Sequence, residues 1–134
     1  MNVLFLCVAN SARSQMAEGL GRALAPHGTR VMSAGSEPTQ VRPQAIEALR
    51  EIGLDIQSHT SKSIDEVPIN DMDLVITLCA DEVCPILPTT VRYLHWPLPD
   101  PAGAGNTPAE ELEAFRRVRD ELKKRLEGLF ADWN

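Results

Sequence analysis

Residues 3–8, Val-Leu-Phe-Leu-Cys-Val, form an unbroken apolar run rich in strand formers, which stops at the polar pair Asn10-Ser11. A strand that is apolar at consecutive positions must be covered on both faces, so this one belongs at the centre of a sheet. From Ser11 onward, Met16, Ala17, Leu20, Ala23 and Leu24 recur at helical spacing until Pro26 and Gly28 end the run. Strand, short polar loop and helix in that order make a βα unit, which commits the chain to a layered α/β arrangement.

The pattern continues. Arg30–Gly35 reads as a second strand, and Pro43 stands at the N1 position of an amphipathic helix running through Ile46, Leu49 and Ile52 to Gly53. Ser63 and Glu66 are spaced as a capping box for a short helix that Pro68 limits. Asp73–Leu78 is another buried-type strand with Cys79 at its C-terminal end, and Val91–Trp96 is a fourth strand. Thr107, Pro108 and Glu110 supply N-cap, N1 and N3 of a last helix, in which Leu112, Phe115, Val118, Leu122, Leu126, Leu129 and Trp133 follow three or four apart. The charged residues between them are expected on a solvated face. Pro97 to Pro108 is expected to be an exposed loop. A chain of 134 residues without internal repeats is expected to be a single domain over 1–134, α/β, with a four-stranded parallel sheet and helices on both faces.

Charge narrows the partners. The net charge of −6 sets the chain against polyanions, so neither nucleic acid nor a membrane is expected as partner. Residues 37–82 carry ten carboxylates against Arg42, Arg50 and Lys62, whereas residues 1–36 carry Arg13, Arg22 and Arg30 against Glu18. A small anion would therefore choose the first third. Only eight apolar residues precede Asn10, too few for a leader or a membrane span, so a cytoplasmic protein is expected. There, three cysteines point to catalysis, redox chemistry or metal binding before a disulfide scaffold, although each also fits a small buried apolar position.

In parallel sheets ligands bind beyond the carboxyl ends of the strands, and Cys7, Cys79 and Asp100 each fall at or just after such an end. Between Cys7 and Arg13 lie Val8, Ala9, Asn10, Ser11 and Ala12, a loop able to turn its N–H groups inward at a helix N-terminus and cradle an anion. The same field favours the thiolate of Cys7, the nucleophilic form, while Arg13 can grip two oxygens of a tetrahedral oxyanion and Ser14 can donate to the sulfur. Asp100, before Pro101, suits a general acid and equally suits a residue that merely starts a turn. A zinc site with His59 or His95 as fourth ligand is the weaker reading of the thiols, because only Cys79 and Cys84 form a close pair. The two histidines are expected to pack or hydrogen-bond, and no cofactor or metal is expected.

The stretch Cys7–Gln15, CVANSARSQ, resembles the phosphate-binding loop of the low-molecular-weight protein tyrosine phosphatase fold, and in particular that of the thioredoxin-coupled arsenate reductases. The resemblance runs on through Ser33-Ala34-Gly35, Gly53, Ser58-His59-Thr60-Ser61, Val75–Cys79, His95-Trp96 and Asp100-Pro101. It implies Cys7 as nucleophile on arsenate, Cys79 as the resolving thiol, Cys84 as the shuttle that passes the disulfide to thioredoxin, and a monomer with side phosphatase activity. The alternative it carries is a protein tyrosine or aryl phosphatase using Cys7, Arg13 and Asp100. Residues 8–92 contain no aromatic side chain to stack on a phosphotyrosine ring, which favours a small inorganic oxyanion. Only four residues separate Cys79 from Cys84, fewer than in the reductases it resembles. Some of these bind potassium near the loop. Asn10, Glu18, Ser33 and Thr60 match such a site, but Lys62 stands where an acidic contributor belongs.

Overall fold

The computed structural model describes residues 1–80 and 91–133. In them the order is β1 (Asn2–Cys7), α1 (Arg13–Leu24), β2 (Arg30–Gly35), α2 (Pro43–Arg50), two 3-10 turns (Ile64–Glu66 and Ile69–Asp71), β3 (Leu74–Thr77), β4 (Arg92–His95) and α3 (Pro108–Ala131). The strands form one four-stranded sheet in the order β2-β1-β3-β4, and every pair is parallel.

β1 is apolar throughout because it feeds two cores. Val3 and Phe5 face a layer built with Met16 and Leu20 of α1, Ala48 and Leu49 of α2, and Phe115 and Leu122 of α3. Leu4 and Leu6 face Val67 and Met72, with Ile64 and Ile69 of the 3-10 turns beside them. Helices thus cover both faces, but of different kinds among the described residues: α-helices on one side, 3-10 turns on the other. Burying each large side chain in these layers is worth about 1.5–3 kcal/mol. α1 tolerates Gly19 because a Cβ there would lie 2.6 Å from side-chain carbons of Leu49 and Ile56, so only glycine lets α2 and the following segment approach so closely.

Element ends show where local signals are overruled. Helical spacing begins at Ser11, yet α1 starts at Arg13, because Asn10 has φ +49° and Ala12 is non-helical, leaving Ser11 and Ala12 in the loop. α2 stops at Arg50 although the apolar spacing reaches Ile52. There the bonds shorten to Ile52 N–H with Leu49 O and Gly53 N–H with Arg50 O, and Gly53 turns the chain at φ +82°. Ser63 and Glu66 close the expected capping box, on a 3-10 turn. Thr107 accepts the Glu110 N–H as N-cap of α3, and Glu110 accepts in return from the Asn106 N–H.

Two expectations are corrected. The charged side of α3 is not wholly solvated: Arg119 is buried, donating to Ala48 O at 2.8 Å and to Glu51 Oε1 at 2.8 Å, because α2 packs against that flank. The Pro97–Pro108 loop is not exposed throughout either. Leu98 donates to Leu78 O at 3.1 Å, prolonging the pairing past β4 and burying Leu98 and Pro101.

Candidate active site at the end of strand β1

β1 ends at Cys7, and the chain turns through residues 8–12 into α1, whose first residue is Arg13. The peptide oxygens of this loop are all taken from outside it. Val8 O accepts the Glu37 N–H, Ala9 O accepts the Thr39 N–H and Ser61 Oγ, Asn10 O accepts Gln15 Nε2, and Ser11 O accepts the Arg42 N–H, at 2.8–3.2 Å. Across a trans peptide the carbonyl of one residue and the N–H of the next point in opposite directions, and no peptide here is cis. The N–H groups of Ala9, Asn10, Ser11 and Ala12 therefore turn away from those partners, and among the described residues none has a protein acceptor. Several such N–H groups at a helix N-terminus make an anion cradle.

Gly35 shows how tightly the loop is seated: a Cβ there would lie 2.3 Å from Val8 O. Asn10 takes the left-handed conformation that asparagine tolerates. Its side chain holds the loop from within, donating to Ser14 Oγ (2.7 Å) and Ser33 Oγ (3.0 Å) and accepting from the Lys62 N–H (2.8 Å) and Gln15 Nε2 (3.0 Å). Ser14 Oγ lies 2.9 Å from Cys7 Sγ. Since that oxygen already accepts from Asn10, its one proton is left for the sulfur, the arrangement a thiolate needs.

Arg13 is buried, and its Nη1 donates to Leu98 O (3.0 Å) and Leu78 O (3.4 Å), so it joins the loop to the segments that leave β3 and β4. Its Nη2 lies 3.9 Å from Asp100 Oδ2. Asp100 plays the bland part as well, since Oδ1 accepts the Ala102 N–H at 3.0 Å, a turn-starting bond. The structure thus brings Cys7, the loop, Arg13, Ser14 and Asp100 together. Cys79 is buried at the end of the strand beside β1 and is disulfide-bonded, whereas Cys7 is a free thiol. Cys84 lies outside the described residues.

Behind the loop stands the Glu18 carboxylate, with Lys62 beside it as the resemblance implied and Arg22 and His59 added to its neighbours. Glu18, buried on α1, accepts Ser33 Oγ–H at Oε1 (2.6 Å), and Lys62 Nζ lies 3.6 Å from the same oxygen. Oε2 faces Arg22 Nη2 at 3.0 Å and His59 Nδ1 at 3.5 Å. Burial holds the His59 ring below the usual histidine range, against the pull of Glu18 toward the charged form. A neutral ring with its proton on Nδ1 suits Gln15 Oε1, 3.2 Å away. His95 is outside this network, 2.6 Å from Thr77 Oγ1. The signal for Glu18 was the resemblance, which had grouped it with Asn10, Ser33 and Thr60 and set Lys62 beside them. Gln15 and Ser61, which also brace the loop, lay within the resembling stretches but were assigned no role there.

A potassium ion does not fit here. Asn10 Oδ1 is taken by two donors, and the Lys62 ammonium stands on the other oxygens, 3.1 Å from Thr60 O and 3.6 Å from Glu18 Oε1. Among the described residues no three His, Cys, Asp or Glu side chains are grouped to hold a metal. No helix among them is long and apolar enough to cross a membrane.

The family model for low molecular weight phosphotyrosine protein phosphatase matches residues 2–134. The arsenate reductase of Staphylococcus xylosus is 49% identical over 128 residues, which cover 94% of this chain and 93% of that protein. A solved arsenate reductase in its phosphate-binding state superposes with a TM-score of 0.86 at 39% identity, covering 99% of this chain and 98% of that one. The thioredoxin-dependent arsenate reductase of Corynebacterium glutamicum gives 0.74 at 32% identity over 97% of this chain and 60% of its own.

Proposed function

This chain belongs to the low molecular weight phosphotyrosine protein phosphatase family, and on that premise we propose that it is a cytoplasmic, monomeric arsenate reductase that draws electrons from thioredoxin. Val8, Ala9, Asn10, Ser11, Ala12 and Ser14 form the oxyanion cradle, and Arg13 leaves its carbonyl partners to grip two arsenate oxygens. The Cys7 thiolate, with Ser14 donating to it, attacks arsenic. Asp100 protonates the departing oxygen, which leaves as water, and a Cys7–arsenate adduct remains.

Cys79 then attacks Cys7 Sγ. The sulfur–arsenic bond breaks with its electron pair going to arsenic, so arsenic(V) leaves as arsenite and a Cys7–Cys79 disulfide forms. Attack of Cys84 on Cys79 expels the Cys7 thiolate and leaves a Cys79–Cys84 disulfide, which the dithiol of thioredoxin reduces. No metal or organic cofactor enters these steps. The observation that carries this reading over simple hydrolysis is a second cysteine at the neighbouring strand end: Cys79 is buried just past β3, the strand paired with β1, which ends at Cys7. The proximity of Asp100 to Arg13 supports aryl-phosphate hydrolysis as a side activity.

The test is arsenate-dependent NADPH oxidation with thioredoxin and thioredoxin reductase, run on wild type, Cys7→Ser, Cys79→Ser and Cys84→Ser. All three variants are expected to lose coupled turnover, while aryl-phosphate hydrolysis is lost only with Cys7. Full coupled activity in Cys79→Ser and Cys84→Ser would overturn the cascade and leave the phosphatase reading.

A further inference from the structure

We propose that the Lys62 ammonium is the built-in counter-ion of the hydrogen-bond chain that aims Ser14 at Cys7, which makes the catalytic loop indifferent to monovalent cations in solution. The inference rests on the reading of Cys7 as the nucleophile. It starts from a chain whose direction is fixed. At its far end Ser33 Oγ donates to Glu18 Oε1 at 2.6 Å. Ser33 Oγ must then accept from Asn10 Nδ2, whose second proton goes to Ser14 Oγ, and the Ser14 proton is left for Cys7 Sγ.

The chain ends on the Glu18 carboxylate, and a carboxylate with a 2% exposed side chain needs positive charge close by. Three basic groups face it. His59 is held toward its neutral form by burial and does not supply that charge. Arg22 sits on Oε2, and its side chain is 55% exposed, so water screens it. Lys62 is the less exposed cation, at 23%, and it approaches Oε1, the oxygen that receives the Ser33 proton. Its ammonium also meets Thr60 O, which holds Gln15, and its backbone N–H meets Asn10 Oδ1. One residue therefore supplies the charge at the far end of the chain and a donor to its middle. Lys62 touches no reacting atom in this scheme and acts as a positioning residue.

The test uses the reduced full-length protein as wild type, Lys62→Gln and Lys62→Arg, in potassium chloride and in the chloride of bulky N-methylglucamine at equal ionic strength. Two quantities are read: the rate of Cys7 alkylation by iodoacetamide at one pH, located by peptide mass spectrometry, and Tm. Wild type and Lys62→Arg are expected to behave alike in both salts. In the bulky salt Lys62→Gln is expected to alkylate roughly threefold more slowly and to melt about 3 °C lower, and potassium should bring both back toward wild type. The proposal is overturned if Lys62→Gln matches wild type in the bulky salt, if its loss is recovered by no salt, or if wild type itself responds to potassium. Neither readout involves arsenate. An expected cation pattern without arsenate turnover would therefore sink the functional reading and leave the counter-ion in place.

Discussion

Two carboxylates, Glu18 and Glu51, each collect more than one cation, yet one lies behind the catalytic loop and the other on the α2–α3 flank. Glu18 is buried, bonds to Ser33, and through Asn10 and Ser14 reaches Cys7. Glu51 is more open, takes Arg116 through both oxygens at 2.6–3.1 Å and Arg119 at 2.8 Å, and among the described residues staples α2 to α3 with no bond to the loop. Ion-pair chemistry alone does not tell a functional cluster from a structural one. The route of the next hydrogen bond does: from Glu18 the chain through Ser33, Asn10 and Ser14 leads to the nucleophile, while the donors to Glu51 lead to α3.

The contrast breaks most sharply at Gly35. Because a Cβ would overlap Val8 O at 2.3 Å, Gly35→Ala must move the backbone of the loop. A displacement of that order misplaces the cradle against Cys7 and Arg13, so arsenate turnover should fall by ~100-fold, with the circular dichroism spectrum retained because β2 is an edge strand. Turnover within a few-fold of wild type would mean that the loop has slack and that the site end is no stiffer than the helical flank.

The two ends also differ in how much of them the sequence displayed. β1, its loop and the start of α1 were legible because apolar runs, caps and the Cys7–Arg13–Ser14 grouping are local. The Thr107 cap of α3 was legible for the same reason. The convergence of Cys7, Cys79 and Asp100 followed from the strand ends, and the resemblance grouped Glu18 with Lys62; what escaped were particular bonds between distant segments. Arg13 bonds to Leu98, 85 positions away, and Glu18 meets His59 only after α1 packs on the segment before β3. Arg119 looked like a solvated residue because helical spacing says which face is charged and nothing of which neighbour buries it. Asp100 stayed ambiguous because both readings are true of its two oxygens, one bonded to Ala102 N–H and one beside Arg13.

A smaller effect sharpens the Glu51 side. The hydrogen bond from Arg116, outweighing the opposing effect of burial and helped by Arg119, holds the Glu51 carboxyl down to about 2 from an ordinary 4.5. A depressed carboxylate stabilises the fold fully above its unfolded value, so this contribution is present above pH 4.5 and is lost as pH falls from 4.5 toward 2. Glu51→Gln should therefore lower Tm slightly at neutral pH and flatten the loss of Tm between pH 4.5 and 2. It should leave Cys7 alkylation and arsenate turnover unchanged. A slowed Cys7 in this variant would show that the α2–α3 staple reaches the site after all.

The smallest expected change runs in the opposite direction and comes from Gly128, inside α3. A Cβ built there meets nothing within 4 Å, and the position is exposed, so a methyl group fits without moving a neighbour. Glycine in a helix interior costs about 0.8–1.0 kcal/mol relative to alanine, because the unfolded chain gains more freedom at glycine and nothing in the helix compensates. Gly128→Ala should accordingly raise Tm by about 3 °C, with turnover and Cys7 alkylation at wild-type values. The same substitution that is expected to disable the protein at Gly35 should strengthen it at Gly128, since only the first glycine has a peptide oxygen pressed against its Cα. Should Gly128→Ala melt lower instead, the outer face of α3 is occupied by something that the described residues do not provide, and the flank has no more slack than the loop.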